Sequence, residues 1–193
     1  MDEQSDHELI RAVLGGSASS FEPLIARHQP RVFATARRYA RREIEVEDIV
    51  QEVFIKAFRR LSSFRADAPF EHWLMRITVH TCYDFLRNHE RNREYNITDI
   101  SDVEEDWLDK VGDDEADRTQ VNRAAAKQLL DRLIAGLSSK DAMIITMLDL
   151  EEKSVKEIAA LTGWSESMIK VRAHRARLEM RKMLARIAPE KYL

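Results

Sequence analysis

The sequence predicts an all-α protein made of two small helical bundles, joined by an acidic linker, with a helix-turn-helix in the second bundle. Apolar residues recur at three- and four-residue intervals through most of the chain, and no segment alternates apolar and polar residues as a strand would. Only 5 Gly and 4 Pro occur among 193 residues, so few positions interrupt helices. The distribution of charge supplies the third observation.

The net charge of −3 conceals three segments of different character. Residues 1–93 carry 15 basic and 14 acidic side chains, residues 94–122 carry 2 and 11, and residues 123–193 carry 14 and 9. We therefore predict a nearly neutral first domain at 1–93, an acidic linker at 94–122 and a basic second domain at 123–193.

Several classes of protein are disfavoured by composition. The single cysteine, Cys82, leaves no internal disulfide framework and is compatible with a reducing cytoplasm. No apolar run approaches the roughly 18–20 residues that span a membrane, and the acidic N-terminus does not resemble a signal peptide. We expect a cytoplasmic protein that does not insert into a membrane.

Helices account for the first domain in chain order. A short amphipathic helix is predicted to end at Gly15-Gly16, and the next begins at a cap near Ser19-Ser20, with a kink or break near Pro30. A loop at 62–69 then leads to a long helix from about Pro69 to Asn88. Between them lies the clearest helix, whose apolar residues recur at i, i+3, i+4, i+7 and i+8: Val46, Ile49, Val50, Val53, Phe54, Ala57, Phe58 and Leu61.

The polar face of that clearest helix clusters Asp48, Gln51 and Glu52. Two interpretations remain open from the residues: a solvated surface, or a surface that docks on a protein, since neither Gln nor Glu suits a phosphate.

Aromatic and basic residues interleave from Phe64 to Arg93, a pattern typical of segments that stack unpaired bases and follow a phosphate backbone. Trp73 and Phe85 fit the apolar stripe and are predicted to be core. The candidate nucleic-acid contacts are therefore Arg65, Arg76, His80 and Arg87.

Periodicity fails across the linker, which predicts an extended or disordered segment, and helical pattern returns at Ala124. Four short helices are predicted from there on. The last two form a helix-turn-helix: Ser154 and Glu157 have capping-box spacing, Gly163 suits a positive φ in the turn, and Ser165 caps the final helix.

The final helix is strongly cationic, as a helix entering a DNA major groove would be. Four basic residues recur on one face, at i, i+4, i+7 and i+11: Lys170, His174, Arg177 and Arg181. Arg172, Arg175 and Lys182 extend the basic surface around it. The alternative is a solvated basic helix. The scattered residues His72, His80, Cys82 and His89 lack the spacing of a metal site. With no catalytic constellation visible, we expect no cofactor, no metal and no enzymatic activity.

Three motifs in order resemble the bacterial RNA polymerase sigma factors of the extracytoplasmic-function (ECF) type, in the sigma-70 family. Glu47-Asp48-Ile49-Val50-Gln51-Glu52-Val53-Phe54 resembles the helix that docks on the polymerase clamp. Phe70-Glu71-His72-Trp73-Leu74-Met75-Arg76-Ile77 resembles the helix that opens and reads the minus-ten promoter element. Glu157-Ile158-Ala159 through Arg175-Ala176-Arg177 resembles the helix-turn-helix that reads the minus-thirty-five element. The resemblance covers about residues 9–93 and 123–186.

The resemblance implies a promoter-specificity subunit that binds core RNA polymerase and promoter DNA, with an anti-sigma factor as its regulatory partner. The implied core-polymerase contacts are Asp48, Gln51, Glu52 and Phe58. The implied minus-ten contacts are Phe64, Arg65, Arg76, His80, Tyr83 and Arg87, with the 62–69 loop capturing a flipped base. The implied minus-thirty-five contacts are Lys170, Val171, His174 and Arg175 at bases, and Ser165, Ser167, Arg172 and Arg177 at phosphates.

His80 departs from the family, which commonly has Asn at that position. A neutral imidazole offers one donor and one acceptor in a different geometry, so the family's base preference does not carry over there. For the linker, the resemblance implies a segment that threads toward the RNA path, where its charge mimics RNA; a passive tether is the alternative.

Two other functions remain open at this point. One is a conventional helix-turn-helix transcriptional regulator that binds duplex DNA without being a polymerase subunit. The other is a helical adaptor whose basic C-terminal domain binds an acidic protein.

Overall fold

The computed structural model describes residues 4–95 and 115–187, and every regular element in these two ranges is helical. The α-helices are α1 (Asp6–Leu14), α2 (Phe21–Ala36), α3 (Glu43–Arg59), α4 (Phe70–Tyr95), α5 (Glu115–Ala135), α6 (Ser139–Ile145), α7 (Val155–Thr162) and α8 (Glu166–Ile187). The all-α prediction is confirmed. The described residues fall into two compact units, the first comprising residues up to Leu86 with Ala159–Trp164, and the second the remainder.

In the first unit, α2 and α3 pack against each other and α1 packs on α2. The core is formed by the apolar face of each helix, and its most deeply buried members include Leu9, Leu24, Val32, Val46, Val53, Leu61 and Leu74. α1 begins at a capping box, in which the Ser5 backbone donates to Glu8 Oε2 at 2.7 Å and the Glu8 backbone donates to Ser5 Oγ at 3.4 Å.

In the second unit, α6 packs against α8, and α5 contacts both helices. Its core joins Met143, Ile144 and Met147 to Ile169 and Ala173. Ser138 caps α6, because its Oγ accepts the Asp141 backbone N–H at 3.3 Å. After α6 the chain makes one π-helical turn, Thr146–Leu150, which was not predicted.

Two helix boundaries differ from the prediction. α4 continues to Tyr95 rather than ending near Asn88, and α5 begins at Glu115, inside the segment expected to be extended. Apolar periodicity predicts helices that bury one face, whereas both extensions are rich in Glu, Arg, Ala and Gln, which have good helix propensity, and carry no apolar stripe. The rest of the predicted linker, residues 96–114, lies outside the described residues.

The structure contradicts two local predictions for α2, the break near Pro30 and the side-chain cap at Ser19-Ser20. The helix is continuous through Pro30 rather than broken, because its buried face, which includes Leu24, His28 and Val32, holds both halves in one packing arrangement despite the missing N–H. A 3₁₀ turn, Ala18–Ser20, precedes α2, and Ser20 makes no side-chain cap bond because its backbone is already helical.

Glu45 anchors the start of α3. Its carboxylate accepts the backbone N–H of Arg41 at 3.2 Å and of Arg42 at 3.1 Å, and the Arg42 Nε–H at 2.9 Å. Burial raises the pKa of this carboxyl, but the hydrogen bonds from Arg42 and Arg41 outweigh burial, so the pKa lies below its ordinary value of 4.5.

We predict that Glu45→Gln destabilises α3 by about 1 kcal/mol at neutral pH, the size of a lost helix cap. A lowered folded-state pKa means that the stabilisation is complete above the unfolded pKa and is lost as pH falls through the folded pKa. The difference from the wild type should therefore shrink as pH falls below the ordinary value of 4.5 and through the lower folded-state pKa. Amide hydrogen exchange in α3 at several pH values measures it. Glu47→Gln, at an exposed position of α3, is the control, and an Glu45→Gln defect that stays constant with pH would contradict the assignment.

Candidate nucleic-acid and protein interfaces

The turn before α8 is built as the sequence predicts. Ser154 and Glu157 form a capping box, with the Ser154 backbone donating to Glu157 Oε2 at 2.8 Å and the Glu157 backbone donating to Ser154 Oγ at 3.2 Å. The Ser154 hydroxyl, followed by its backbone N–H, lowers the pKa of Glu157. Gly163 has a φ of 75°, and the Met168 backbone donates to Ser165 Oγ at 3.3 Å. The Ser154–Glu157 box begins α7, and Gly163 together with the Ser165 cap fixes where α8 begins.

One face of α8 is buried, and the opposite face is open. Ile169, Ala173 and Ala176 are almost fully buried, so residues about half a turn away point outward. Of the predicted minus-thirty-five contacts, only Arg172 is half-buried. The others are exposed: Ser165, Ser167, Lys170, Val171, His174, Arg175 and Arg177.

Two arginines of α8 are held by carboxylates of the same unit. Arg172 Nη1 donates to Asp141 Oδ1 at 2.8 Å. Arg177 donates from Nη2 to Asp149 Oδ1 at 2.6 Å and from Nε to Asp149 Oδ2 at 3.2 Å, and this contact raises the pKa of Arg177. Neither acid can be recognised as a partner from the sequence, because the pairs join residues about thirty positions apart in the chain.

The outer face of α3 carries the predicted docking residues. Asp48, Gln51, Glu52 and Phe58 are all exposed, whereas Val46, Val53 and Ala57 are buried on the opposite side. Phe58 is 44% exposed and presents an edge to Phe21 at 5.1 Å between ring centroids.

Two further residues share this outer face and were missed. Ile44 is 57% exposed, and Ile55 is half-buried. Both residues could have been recognised from the sequence, because the helical period places Ile44 and Ile55 opposite the apolar stripe that forms the core. Together the residues recur at alternating intervals of four and three: Ile44, Asp48, Gln51, Ile55 and Phe58. This set is called the α3 outer stripe below.

The loop between α3 and α4 is held by aromatic contacts. Phe64 lies 5.6 Å from Phe70 and 5.7 Å from Trp73, measured between ring centroids, and the His7 ring stacks on it at 6.1 Å. Phe64 and Trp73 are half-buried, so Phe64 supports the loop as well as facing solvent. Ala66, which follows, has a φ of 58°, a left-handed conformation that is uncommon without glycine.

A pocket of about 570 Å³ lies beside this loop. Its lining comes from loop residues 66–69, from Phe70, and from three residues that sequence analysis did not select: Asp6, His7 and Arg27. Asp6 is ion-paired with Arg27 and lies 2.9 Å from His28 Nε2, so α1 and α2 are tied together at the pocket wall.

The predicted minus-ten contacts on α4 share one side of the helix. Arg76, His80, Tyr83 and Arg87 lie at i, i+4, i+7 and i+11, and all are exposed except the half-buried Tyr83. Leu74 and Ile77 occupy the buried side. Arg65 is exposed on the adjacent loop.

Comparison with known proteins identifies the family. The Sigma-70 region 2 family model matches residues 24–92, and the Sigma-70 region 4 model matches residues 127–180. The ECF RNA polymerase sigma factor SigM of Mycobacterium tuberculosis is 31% identical over 94% of this chain and 86% of its own. The ECF RNA polymerase sigma-E factor of Escherichia coli strain K12 is 33% identical over 92% and 93%.

The chain belongs to the ECF RNA polymerase sigma factors. Like other members, this ECF sigma factor is a promoter-specificity subunit that directs transcription initiation, and sigma factors are not classical enzymes. The prediction made from the three motifs is thereby confirmed, and the regulator and adaptor alternatives are set aside.

Solved structures agree on the fold. CnrH, in complex with the cytosolic domain of CnrY, superposes with a TM-score of 0.52 at 24% identity, covering 94% of this chain and 97% of that chain. The sigma factor RpoE of Bartonella quintana, in complex with the anti-sigma factor NepR, gives 0.52 at 22% identity, with 85% and 96% covered. In this ECF sigma factor, the described helices include none long and apolar enough to cross a membrane.

We predict that Asp149→Asn strengthens binding of the full chain to nonspecific duplex DNA by about threefold near 0.1 M salt. The change frees the Arg177 guanidinium and removes a negative charge beside α8. The plot of log binding constant against log salt concentration should therefore steepen by about the slope of one phosphate contact. Fluorescence anisotropy over a salt series measures both. Glu22→Gln on α2 makes the same charge change away from α8, and an equal response from both variants would contradict the prediction.

Proposed function

We propose that this sigma factor divides its work among three segments: residues 1–93 bind core RNA polymerase and the minus-ten element, 94–122 link the domains, and 123–193 bind the minus-thirty-five element. It acts in the bacterial cytoplasm and has no enzymatic activity or cofactor of its own. The α3 outer stripe is the observation that carries the proposal. One face of α3 is already buried in the core, and the helix still presents a second, ordered face to solvent.

The chemistry of the α3 outer stripe fits a helical protein partner. Alternating four- and three-residue spacing is that of a coiled-coil seam, in which side chains of one helix insert between those of another. Exposed apolar residues, Ile44 and Phe58, stand at its two ends, and polar Asp48 and Gln51 lie between them. Apolar anchors with polar neighbours are what a specific docking helix requires. We assign Asp48, Gln51, Glu52 and Phe58, with Ile44 and Ile55, to core polymerase.

The row on α4 and the adjacent loop suit the minus-ten element. Arg76 and Arg87 offer charge for phosphates, and His80 and Tyr83 offer polar edges to bases between them. The pocket beside the loop has room for one extruded base. Arg65 lies on the loop itself and Phe64 braces it.

For the minus-thirty-five element, α8 offers Lys170, Val171, His174 and Arg175 toward bases. The remaining predicted contacts are Ser165, Ser167, Arg172 and Arg177, which we assign to phosphates. Arg172 and Arg177 are ion-paired with Asp141 and Asp149. The acids neutralise much of the positive charge of the two guanidiniums and fix their orientation, so each arginine contributes a directed hydrogen bond to a phosphate more than a net charge.

An anti-sigma factor is the regulatory partner that we propose. The support is analogy, since RpoE of Bartonella quintana is similar in fold and was solved with the anti-sigma factor NepR. Such a partner would cover the α3 outer stripe and so compete with polymerase.

Run-off transcription with purified core polymerase tests the proposal. A promoter library randomised at both elements, incubated with core enzyme and this sigma factor, should yield transcripts from selected two-part promoters. Core enzyme alone and the sigma factor alone should yield none. Failure to join core polymerase, measured by native mass or gel filtration, would overturn the proposed function.

We predict that Asp48→Arg weakens binding to core polymerase about tenfold, because it inverts a charge at the centre of the docking face. Its position is exposed, so the helical content should not change. Glu22→Arg, an equal charge reversal at an exposed position on α2, is the matched control. Equal affinities of Asp48→Arg and wild type, titrated by fluorescence, would remove α3 from the interface.

A further inference from the structure

The outermost line of α8 is not cationic. At about 100° per residue, Ile169, Ala173 and Ala176 centre the buried side, and the direction opposite to them falls on Val171, with Ser167 and His174 to one side. Val171 is 50% exposed. An aliphatic side chain therefore stands at the point of α8 that would reach farthest into a groove.

The arginines that flank this line are turned toward the protein. Arg172 and Arg177 lie on opposite sides of α8, and Asp141 and Asp149 hold their guanidiniums at 2.8 and 2.6 Å. These ion pairs keep both long side chains beside the helix rather than over it. Neither arginine therefore covers Val171, whose neighbours on the exposed surface are Lys170, His174 and Arg175.

The cations around Val171 favour DNA as the occupant of that space, and the aliphatic side chain selects a particular group there. On the major-groove edge of DNA, the one apolar group is the C5-methyl of thymine; the other groups are hydrogen-bond donors and acceptors. A β-branched side chain has few rotamers, so its two methyl groups are already placed before contact.

We propose that Val171 is a specificity-determining residue that reads the C5-methyl group of one thymine in the minus-thirty-five element. This rests on the proposed function and deepens it, because it gives one side chain a base and the chemical group on that base. Phosphate contacts fix the position of α8 along the DNA, and the Val171 contact then makes binding tighter when one base is thymine rather than cytosine or uracil.

The experiment uses the assembled holoenzyme. Duplexes randomised across the minus-thirty-five window are first selected by wild-type holoenzyme, and each thymine of the selected element is then replaced singly by uracil, which lacks only the methyl group. At one position, wild-type holoenzyme should bind the uracil duplex about fourfold more weakly, the value for one buried methyl group.

Val171→Ala holoenzyme supplies the decisive comparison. It should bind the thymine duplex about as weakly as the wild type binds the uracil duplex, and it should no longer distinguish the two. A duplex with cytosine at that position should bind wild-type holoenzyme weakly, and replacing the cytosine by 5-methylcytosine should restore part of the affinity. The same replacement should not change the affinity of Val171→Ala holoenzyme.

Leu178→Ala is the matched control. Leu178 is 42% exposed on the same outer side, two turns farther along α8, so its truncation should leave the preference for thymine over uracil intact. Equal binding of thymine and uracil duplexes by the wild type at every position would overturn the proposal, and so would a Val171→Ala holoenzyme that keeps the distinction. Both results leave holoenzyme assembly and run-off initiation intact, whereas failure of the proposed function abolishes them.

Discussion

Each long helix of a small bundle can bury only one side, and this constraint shapes both units. The core takes Val46, Val53 and Ala57 from α3, and Ile169 and Ala173 from α8. What remains on the opposite side is not a uniform charged surface. It is an ordered row of side chains, held in register by the packing behind it. The surfaces assigned to polymerase and DNA are thus consequences of the same burial that stabilises the fold.

Intradomain acids tune the basic surface of α8. A helix with many unpaired arginines would bind any nucleic acid through phosphate charge alone, with little dependence on sequence. Asp141 and Asp149 neutralise two arginines and fix their direction. In the proposed complex of α8 with DNA, these ion pairs lower the total affinity and raise the share of it that depends on base contacts, which carry the sequence information.

The sequence predicted the elements that have strong local signals. Apolar periodicity located α3, and the capping box with Gly163 located the turn before α8, since these features act over a few residues. The end of α4 and the start of α5 were missed because their sequences have helix propensity without a periodic apolar stripe. The partners of Arg172 and Arg177, and the α1 residues that line the loop pocket, depend on tertiary contacts, and no spacing rule within one helix encodes them. Ile44 was readable from its position opposite the core stripe but was overshadowed by the polar residues beside it.

The left-handed backbone at Ala66 has an energetic consequence for the loop that we propose contacts the minus-ten element. Such a conformation costs on the order of 1 kcal/mol in a residue with a Cβ, and it persists only where its surroundings impose it. Two residues before Ala66, the ring of Phe64 contacts Phe70 and Trp73 and so holds the same loop against α4. In the proposed minus-ten complex, a loop whose conformation is already fixed on folding loses less conformational entropy when a strand of DNA binds.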